Sequence, residues 1–542
     1  MSNERSDDQA VLTAPPMQWD AWGAPEKRKV LSDGIKALLQ QALGVLITEA
    51  PERNPGDVVL APSALSEKDR AALATIVGER FCSTAHTDRL LRAGGKSTLD
   101  LLRRRSSEPQ DAPDAVITPG TDDEVGEVLR YCTDSAIAVV PFGGGTSVVG
   151  GLDPVRDRFA AVVSLDLRRF DTLLDLDAES GVATLGAGVT GPRAEELLGA
   201  HGLSLGHFPQ SFRFATIGGF AATRSSGQAS AGYGRFEDMV EGLRVVTPAG
   251  ILDTGRAPAS AAGPDLGELF VGSEGTLGVI TRVRVRVHAV PESTVREGWN
   301  FPDFETGAAA LRALRQEGAV PTVLRLSDEA ETGVNLATTD KIGDEAVAGG
   351  CLAITTFEGT AAHTAERVAE ARAVLQAHGG TSLGADPGNS WEHGRFDAPY
   401  LRDSLLDAGA LCETLETSTH WGNLAALRAA VTTALTSALS EQGTPPLVLC
   451  HISHTYPTGA SLYFTVVCAQ AADPLEQWRQ AKTAAGDAIV ATGGTITHHH
   501  AVGVDHRPWM RKEIGDLGVT ILRAIKDAVD PAGILNPGKL IP

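Results

Sequence analysis

Pro141-Phe142-Gly143-Gly144-Gly145-Thr146-Ser147 is the stretch on which the reading of this chain turns. It follows a short apolar run, residues 137–141, whose composition predicts a strand. Three successive glycines permit positive φ and let neighbouring N–H groups converge on an anion. Thr146 and Ser147 add hydroxyl donors suited to phosphate oxygens. A glycine turn alone is just as often a bare structural element, so its meaning depends on its surroundings.

Outward from the loop the texture is that of short strands and helices. Residues 115–117 and 161–165 predict strands, 122–135 a helix, and 181–185 a further strand before a helix over 192–201. Pro192 suits a first helical turn, where its missing N–H is not needed. This region runs from about residue 113 to 290. Upstream, residues 1–110 are mostly helical in pattern, with a helix expected over 26–43 that stops at Gly44. Trp19 and Trp22, ahead of Gly23, read as buried anchors of an N-terminal arm. Downstream, longer helices at 304–317 and 361–378 alternate with strands at 447–453 and 461–468. The expectation is an α+β chain in four parts: a helical arm over 1–110, an α/β region over 111–290, a second α+β domain over 291–495, and a closing loop and helices over 496–542.

Composition narrows the partners. The 542 residues carry a formal net charge of −21, which repels phosphate backbones and excludes nucleic acid as an expected partner. The six cysteines form no C-x-x-C pair, which excludes zinc ribbons and fits a reducing compartment. Residues 1–10 are polar and acidic, unlike a signal peptide, and the closing Lys539-Leu540-Ile541-Pro542 is not a peroxisomal tripeptide. No apolar run reaches the ~18 residues of a membrane span. The expected location is the cytoplasm.

Three motifs point elsewhere and are set aside. Gly186-Ala187-Gly188-Val189-Thr190-Gly191 has the G-x-G-x-x-G form but no acidic residue at the distance a dinucleotide site requires, so it predicts a tight turn. Gly95-Lys96-Ser97 ends like a phosphate loop, but Leu90 stands where that loop needs glycine. His498-His499-His500 suggests a metal, yet on a strand the middle ring would face away from the other two, so no metal is expected.

Two more segments give the loop its meaning. Residues 209–227 hold Pro209, Gln210, Ser211, Ala215, Thr216, Gly218, Gly219, Ala222, Thr223 and Ser225, small enough for a planar ring and a diphosphate to approach the backbone. Residues 272–281 bring Glu274, Gly275, Thr276, Gly278, Val279 and Ile280 into a strand entered through glycines. In this order the three segments resemble the PCMH-type, two-subdomain FAD-binding domain of vanillyl-alcohol oxidase, D-lactate dehydrogenases and their relatives. The resemblance implies non-covalent FAD, with its diphosphate on residues 141–147, and makes 291–495 a cap domain over the substrate.

The rest of the chain narrows the family. Trp19-x-x-Trp22-Gly23, Pro209-x-Ser211-Phe212-x-Phe214, Arg325-Leu326, Tyr400-Leu401-Arg402-Asp403, Glu416-Thr417-Ser418, Ser461-Leu462-Tyr463-Phe464 and the histidine triplet before Ala501-Val502-Gly503 resemble the alkyldihydroxyacetonephosphate synthase family. That resemblance implies exchange of the acyl group of acyl-dihydroxyacetone phosphate for a long-chain alcohol, without net redox change. It carries catalytic roles to Tyr463, His498, His499, His500, Arg402 and Arg325. Imidazole suits proton transfer near neutral pH, and a guanidinium fork suits phosphate and carboxylate. It also implies a homodimer and at most weak peripheral membrane contact. Gln210 departs from the acid often found in the family, and the competing reading is an FAD-linked 2-hydroxy-acid dehydrogenase or oxidase. Those relatives commonly carry Glu-His-Gly where this chain has the triplet.

Overall fold

A computed structural model describes residues 17–48, 51–334 and 349–542. The acidic segment 1–10, on which the signal-peptide expectation rests, lies outside the described residues. The chain is α+β, as expected, and among the described residues three larger sheets carry it, beside a two-stranded pair of Leu203–Ser204 with His288–Ala289.

In the first sheet, Ala115–Ile117, Ala161–Asp166 and Ile137–Phe142 run parallel, in that spatial order. Nearly every residue of these strands is buried, as continuous apolar runs require when both faces of a sheet are covered. Helix Asp122–Asp134 makes the crossover, started by Thr121, whose side chain accepts from the Glu124 N–H. The arm adds an edge strand, Cys82–Ser83, antiparallel to Ala115–Ile117. Two residues are too few for a readable pattern, so this strand is absent from the sequence reading.

The second sheet is antiparallel, in the order Leu173–Asp177, Val182–Gly186, Val279–Arg286, Val240–Thr247, Gly250–Asp253. Strand Val279–Arg286 buries Val279, Thr281, Val283 and Val285, while Arg282, Arg284 and Arg286 reach outward. That is the alternation of a half-solvated sheet.

The third sheet has seven antiparallel strands: Thr381–Gly384, Ser293–Phe301, Cys351–Gly359, Val323–Ser327, Leu447–Ile452, Gly459–Ala469 and Ala410–His420. Helices Phe304–Glu317, Ala361–Ala377, Leu424–Glu441 and Pro474–Ala491 contribute Leu311, Leu375, Leu427, Leu435, Trp478 and Ile489 to the core on one face. Leu462, Phe464, Val466 and Cys468 of strand Gly459–Ala469 point into that core. Their alternates Tyr463, Thr465 and Val467 therefore point the other way, into a cavity. The same parity sends Leu449 and His451 of the neighbouring strand, and Cys412 and Thr414 of the next, to the cavity side.

Element ends differ from expectation where tertiary contacts intervene. The helix expected over 26–43 begins at Asp33, capped by Ser32, because the preceding residues are drawn out. Arg28 and Lys29 pair there with Asp407 and Asp397, and Leu31 packs beside Leu401. Gly44 ends it in the left-handed conformation, as expected. The closing helix, Met510–Val529, is interrupted at Gly515. The tail then folds back: Asp530 accepts from the N–H groups of Ile534 and Leu535, and Asn536 donates to the Gly151 and Glu274 carbonyls.

Phe464 is fully buried, so Phe464→Ala should cost about 3–5 kcal/mol. A chemical-denaturation midpoint equal to that of the unmodified protein would refute this placement of the sheet's two faces.

Candidate active site

The glycine-rich loop leaves the end of strand Ile137–Phe142 and is shaped by close contact. A Cβ on Gly144 would lie 2.0 Å from the Phe214 carbonyl oxygen, and one on Gly143 would lie 2.4 Å from the Thr216 hydroxyl. Gly145 takes positive φ. The loop therefore interlocks with the 209–227 segment only if these positions lack side chains. The backbone N–H groups of residues 143–147 donate to no other described residue. Beyond the loop, the Lys96 N–H donates to the Ser147 carbonyl and Ser97 caps helix Thr98–Arg105. Gly95-Lys96-Ser97 thus braces the loop rather than forming a phosphate site of its own. Gly186 and Gly188 pack against the carbonyls of Phe170 and Leu167, the tight turn expected there.

One cavity joins this loop to the sheet face. Its walls include Pro141, Phe142, Gly143, Gly144, Gly145, Thr146 and Ser147, then Pro209, Gln210, Ser211, Ala215, Thr216, Gly218, Gly219, Ala222, Thr223 and Ser225, then Glu274, Gly275, Gly278 and Ile280. Arg325, Arg402, Tyr463, His499 and His500 line the same cavity. Thr276, Val279 and His498 do not. Thr276 closes a turn onto the Ser273 carbonyl, Val279 lies in the core between strands, and His498 faces Tyr456. Trp22, from the arm, also lines the cavity, held by its N–H to Asp403 at 2.5 Å.

The histidine triplet is not on a strand. It forms a turn after helix Pro474–Ala491, so strand alternation does not apply to it. The turn closes on one carboxylate: Glu416 accepts from the N–H groups of His498, His499 and His500 at 2.7–2.9 Å, and from the Thr497 hydroxyl at 2.8 Å. Burial alone would raise its pKa, but the charge that His500 carries once protonated and the amide donors outweigh burial and hold the carboxyl below its usual range. His498 and His499 meet through their Nδ1 atoms at 3.0 Å, and Tyr456 reaches His498 Nε2 at 2.5 Å. Ring nitrogens of His454, His498 and His499 lie within 4.8 Å of one another, so His498 and His499, which a strand would set on opposite faces, come together. Burial and the neighbouring imidazoles push His498 and His499 well below the ordinary histidine value; burial, opposed by Glu416, lowers His500. All three rings are therefore neutral at neutral pH.

Tyr463 stands directly across from Glu416 on one side and His451 on the other. Its ring stacks on His451 at 4.9 Å and meets His500 edge-on at 5.6 Å. Burial pushes its phenol up to about 12, so the hydroxyl keeps its proton. Arg402 is buried, bonded to Asp403 and to the Lys96 carbonyl at 2.7 Å, and is not a surface pair. His451, Glu331 and His454 carry no readable motif, so the sequence reading passed over them. Glu416 is visible in the sequence only as part of the Glu416-Thr417-Ser418 family pattern.

Does FAD fit? The loop offers a run of unpaired N–H groups, and Gln210 Nε2, Ser226 Oγ and Arg325 Nε are buried polar atoms without a protein partner on cavity-lining residues. Buried donors of this kind call for a ligand rich in acceptors. On the far side, Glu274 accepts from the N–H groups of Val502 and Gly503 at 2.8 and 2.7 Å, tying the histidine turn to the loop region.

Two outcomes follow from these carboxylates. Glu416→Ala should strip hydrogen-exchange protection from the amides of residues 498–500, since each lost charge-assisted bond is worth about 1.5–3 kcal/mol. Unchanged protection would sink the carboxylate's role in the turn. Burial raises the Glu274 pKa from 4.5 to about 7 against the pull of its two amide donors. A raised folded value gives stability that is present below 4.5 and lost as pH rises towards 7. Glu274→Gln should therefore flatten stability against pH across that window, as measured by urea titration.

Comparison with known proteins places the chain in a family. Residues 113–255 match the family described as "FAD binding domain", and residues 290–540 match "FAD linked oxidases, C-terminal domain". Alkyldihydroxyacetonephosphate synthase of Trypanosoma brucei brucei is 36% identical over 474 residues, 84% of this chain and 77% of the relative. The Dictyostelium discoideum synthase is 35% identical over the same shares. A solved alkyldihydroxyacetonephosphate synthase structure superposes with a TM-score of 0.83 at 29% identity, covering 97% of this chain and 99% of that one. FAD is the cofactor, and the chain belongs to the alkyldihydroxyacetonephosphate synthase family.

Proposed function

We propose that the chain replaces the acyl group of acyl-dihydroxyacetone phosphate with a long-chain fatty alcohol, releasing the fatty acid and forming an ether lipid precursor without net redox change. The observation that carries this reading is one cavity holding the glycine cradle, two arginines, a protonated tyrosine and neutral histidines. FAD, bound without a covalent link, supplies a nucleophilic ring nitrogen when reduced. The cavity-lining residues of the three glycine-rich segments would hold it, and the unpaired amides of 143–147 would be free to meet its diphosphate.

The remaining work belongs to side chains. A proton must leave the substrate carbon, and another must leave the alcohol. A neutral imidazole can accept either, and His499 and His500 are neutral and face the cavity. His498 is turned to Tyr456, so its part is to hold His499 through the Nδ1 contact. Tyr463, as a phenol, donates to a substrate oxygen. Arg325 and Arg402 receive the phosphate and the departing carboxylate. Trp22 and the apolar wall of Leu401, Leu405, Leu449 and Val467 offer a surface for alkyl chains and exclude water.

We infer a homodimer from the family resemblance, with the cytoplasm and at most peripheral membrane contact as its setting. None of the described helices is long and apolar enough to cross a membrane. Light scattering on the purified protein decides the oligomeric state.

The test of the activity is anaerobic. Palmitoyl-dihydroxyacetone phosphate and hexadecanol, mixed with the FAD-loaded protein, should give ether product and palmitate without an electron acceptor. Flavin bleaching by D-lactate or glycolate, with no exchange product, would favour a 2-hydroxy-acid dehydrogenase or oxidase instead. Tyr463→Phe and His499→Ala should each keep FAD and lose at least about 100-fold in turnover. Full activity in both would remove these residues from the mechanism.

A further inference from the structure

Arg325 is the cavity-lining cation whose surroundings are most elaborately built. Its Nη1 donates to His451 Nε2 at 3.0 Å, and its Nη2 donates to Glu331, an ion pair with a carboxylate that is fully buried. Glu331 also accepts from His451 Nδ1 at 2.8 Å and from the Ser327 hydroxyl at 2.8 Å. Helix Glu329–Gly333 brings Glu331 there, capped by Asp328, which accepts from the Glu331 N–H. The three side chains form a closed triangle that reaches no solvent through its carboxylate.

The triangle decides the tautomer of His451. Nδ1 lies 2.8 Å from Glu331, which only accepts, and 3.0 Å from Arg325 Nη2, which only donates; the shorter contact is to the carboxylate, which itself takes that Nη2, so the hydrogen sits on Nδ1 and the lone pair of Nε2 is left for Arg325 Nη1. Burial first, then Arg325, lowers the His451 pKa despite Glu331, in keeping with a neutral ring. That ring lies flat against Tyr463, its partner across the strands. A guanidinium has more N–H donors than these two partners use, and Arg325 Nε has no protein partner.

We propose that His451, with its tautomer set by Glu331, is a positioning residue that holds the Arg325 guanidinium for the anionic group of the ketone-phosphate substrate. This rests on the exchange activity proposed above. Its value is preorganisation: a fixed fork meets the anion without first losing rotamer freedom. His451 lines the cavity, and the role assigned to it here acts through Arg325 and through the face of Tyr463.

Two substitutions separate those routes. His451→Phe keeps a flat ring against Tyr463 but neither accepts from Arg325 nor donates to Glu331. His451→Gln keeps an acceptor and a donor without the ring. With the FAD-loaded protein, His451→Phe should raise KM for palmitoyl-dihydroxyacetone phosphate by about 10- to 100-fold, a range seen when supporting partners are removed. KM for hexadecanol and FAD content should stay unchanged, and His451→Gln should recover most of the loss. Adding His451→Phe to Arg325→Lys should cost nothing beyond Arg325→Lys alone, since both remove the same clamp.

A His451→Phe enzyme with unaltered KM overturns the proposal, as does a fully additive double variant. If His451→Gln is as impaired as His451→Phe, restoring an acceptor and a donor does not restore the clamp, and the proposal falls. Calorimetric titration with dihydroxyacetone phosphate keeps the two readings apart. Binding by the unmodified protein that His451→Phe weakens supports the clamp even where no exchange is seen. Equal binding by both removes the clamp and leaves the exchange reading intact, and no binding by either removes both.

Discussion

The carboxylate of Glu416 is the constraint on which the chemistry of this cavity depends. A charge with no exposure to water must be met by donors, and three consecutive amides and a hydroxyl meet it. Satisfying the charge bends residues 498–500 into a turn and so places the imidazoles. Glu416 lies on strand Ala410–His420, directly paired with Tyr463. The distance between the histidines and the tyrosine is therefore set by strand pairing, which is stiff, rather than by the loop, which would not be.

A second and a third buried carboxylate extend the same logic. Glu331 holds Arg325 and His451 at the other end of a row, Ser327, His451, Tyr463 and Glu416, that crosses four strands. Glu274 secures the far side of the histidine turn to the flavin region through two amides. The three differ in charge balance. Glu331 and Glu416 are held low because cations, imidazoles or several donors oppose burial, whereas Glu274 is pushed to about 7 because burial outweighs its two amides.

Much of the frame was legible in the residues. Apolar runs marked the parallel strands, Phe304–Glu317 appeared with its observed ends, and glycine spacing marked the cofactor loop. Local pattern suffices for these because their stabilising contacts are near in sequence. The start of helix Asp33–Leu43 and the edge strand Cys82–Ser83 depend on distant partners, Asp407 and Ala115–Ile117, and were misplaced or missed. The triplet 498–500 was taken for a strand because its donors' partner, Glu416, is far away in the chain.

By itself, then, the sequence determined the glycine-rich loop, since glycines at 143–145 are required where backbone and side chains of the 209–227 segment approach so closely, and it carried the family in its order of motifs. It determined which faces of the long strands are apolar. Only the tertiary structure decided which residues meet in the cavity. Arg325, His451 and Glu331 come from two strands and a short helix, and the triplet and Glu416 from a loop and another strand. Such partners are joined by the sheet's register and by the need to neutralise buried charge, and neither leaves a local trace in the order of residues.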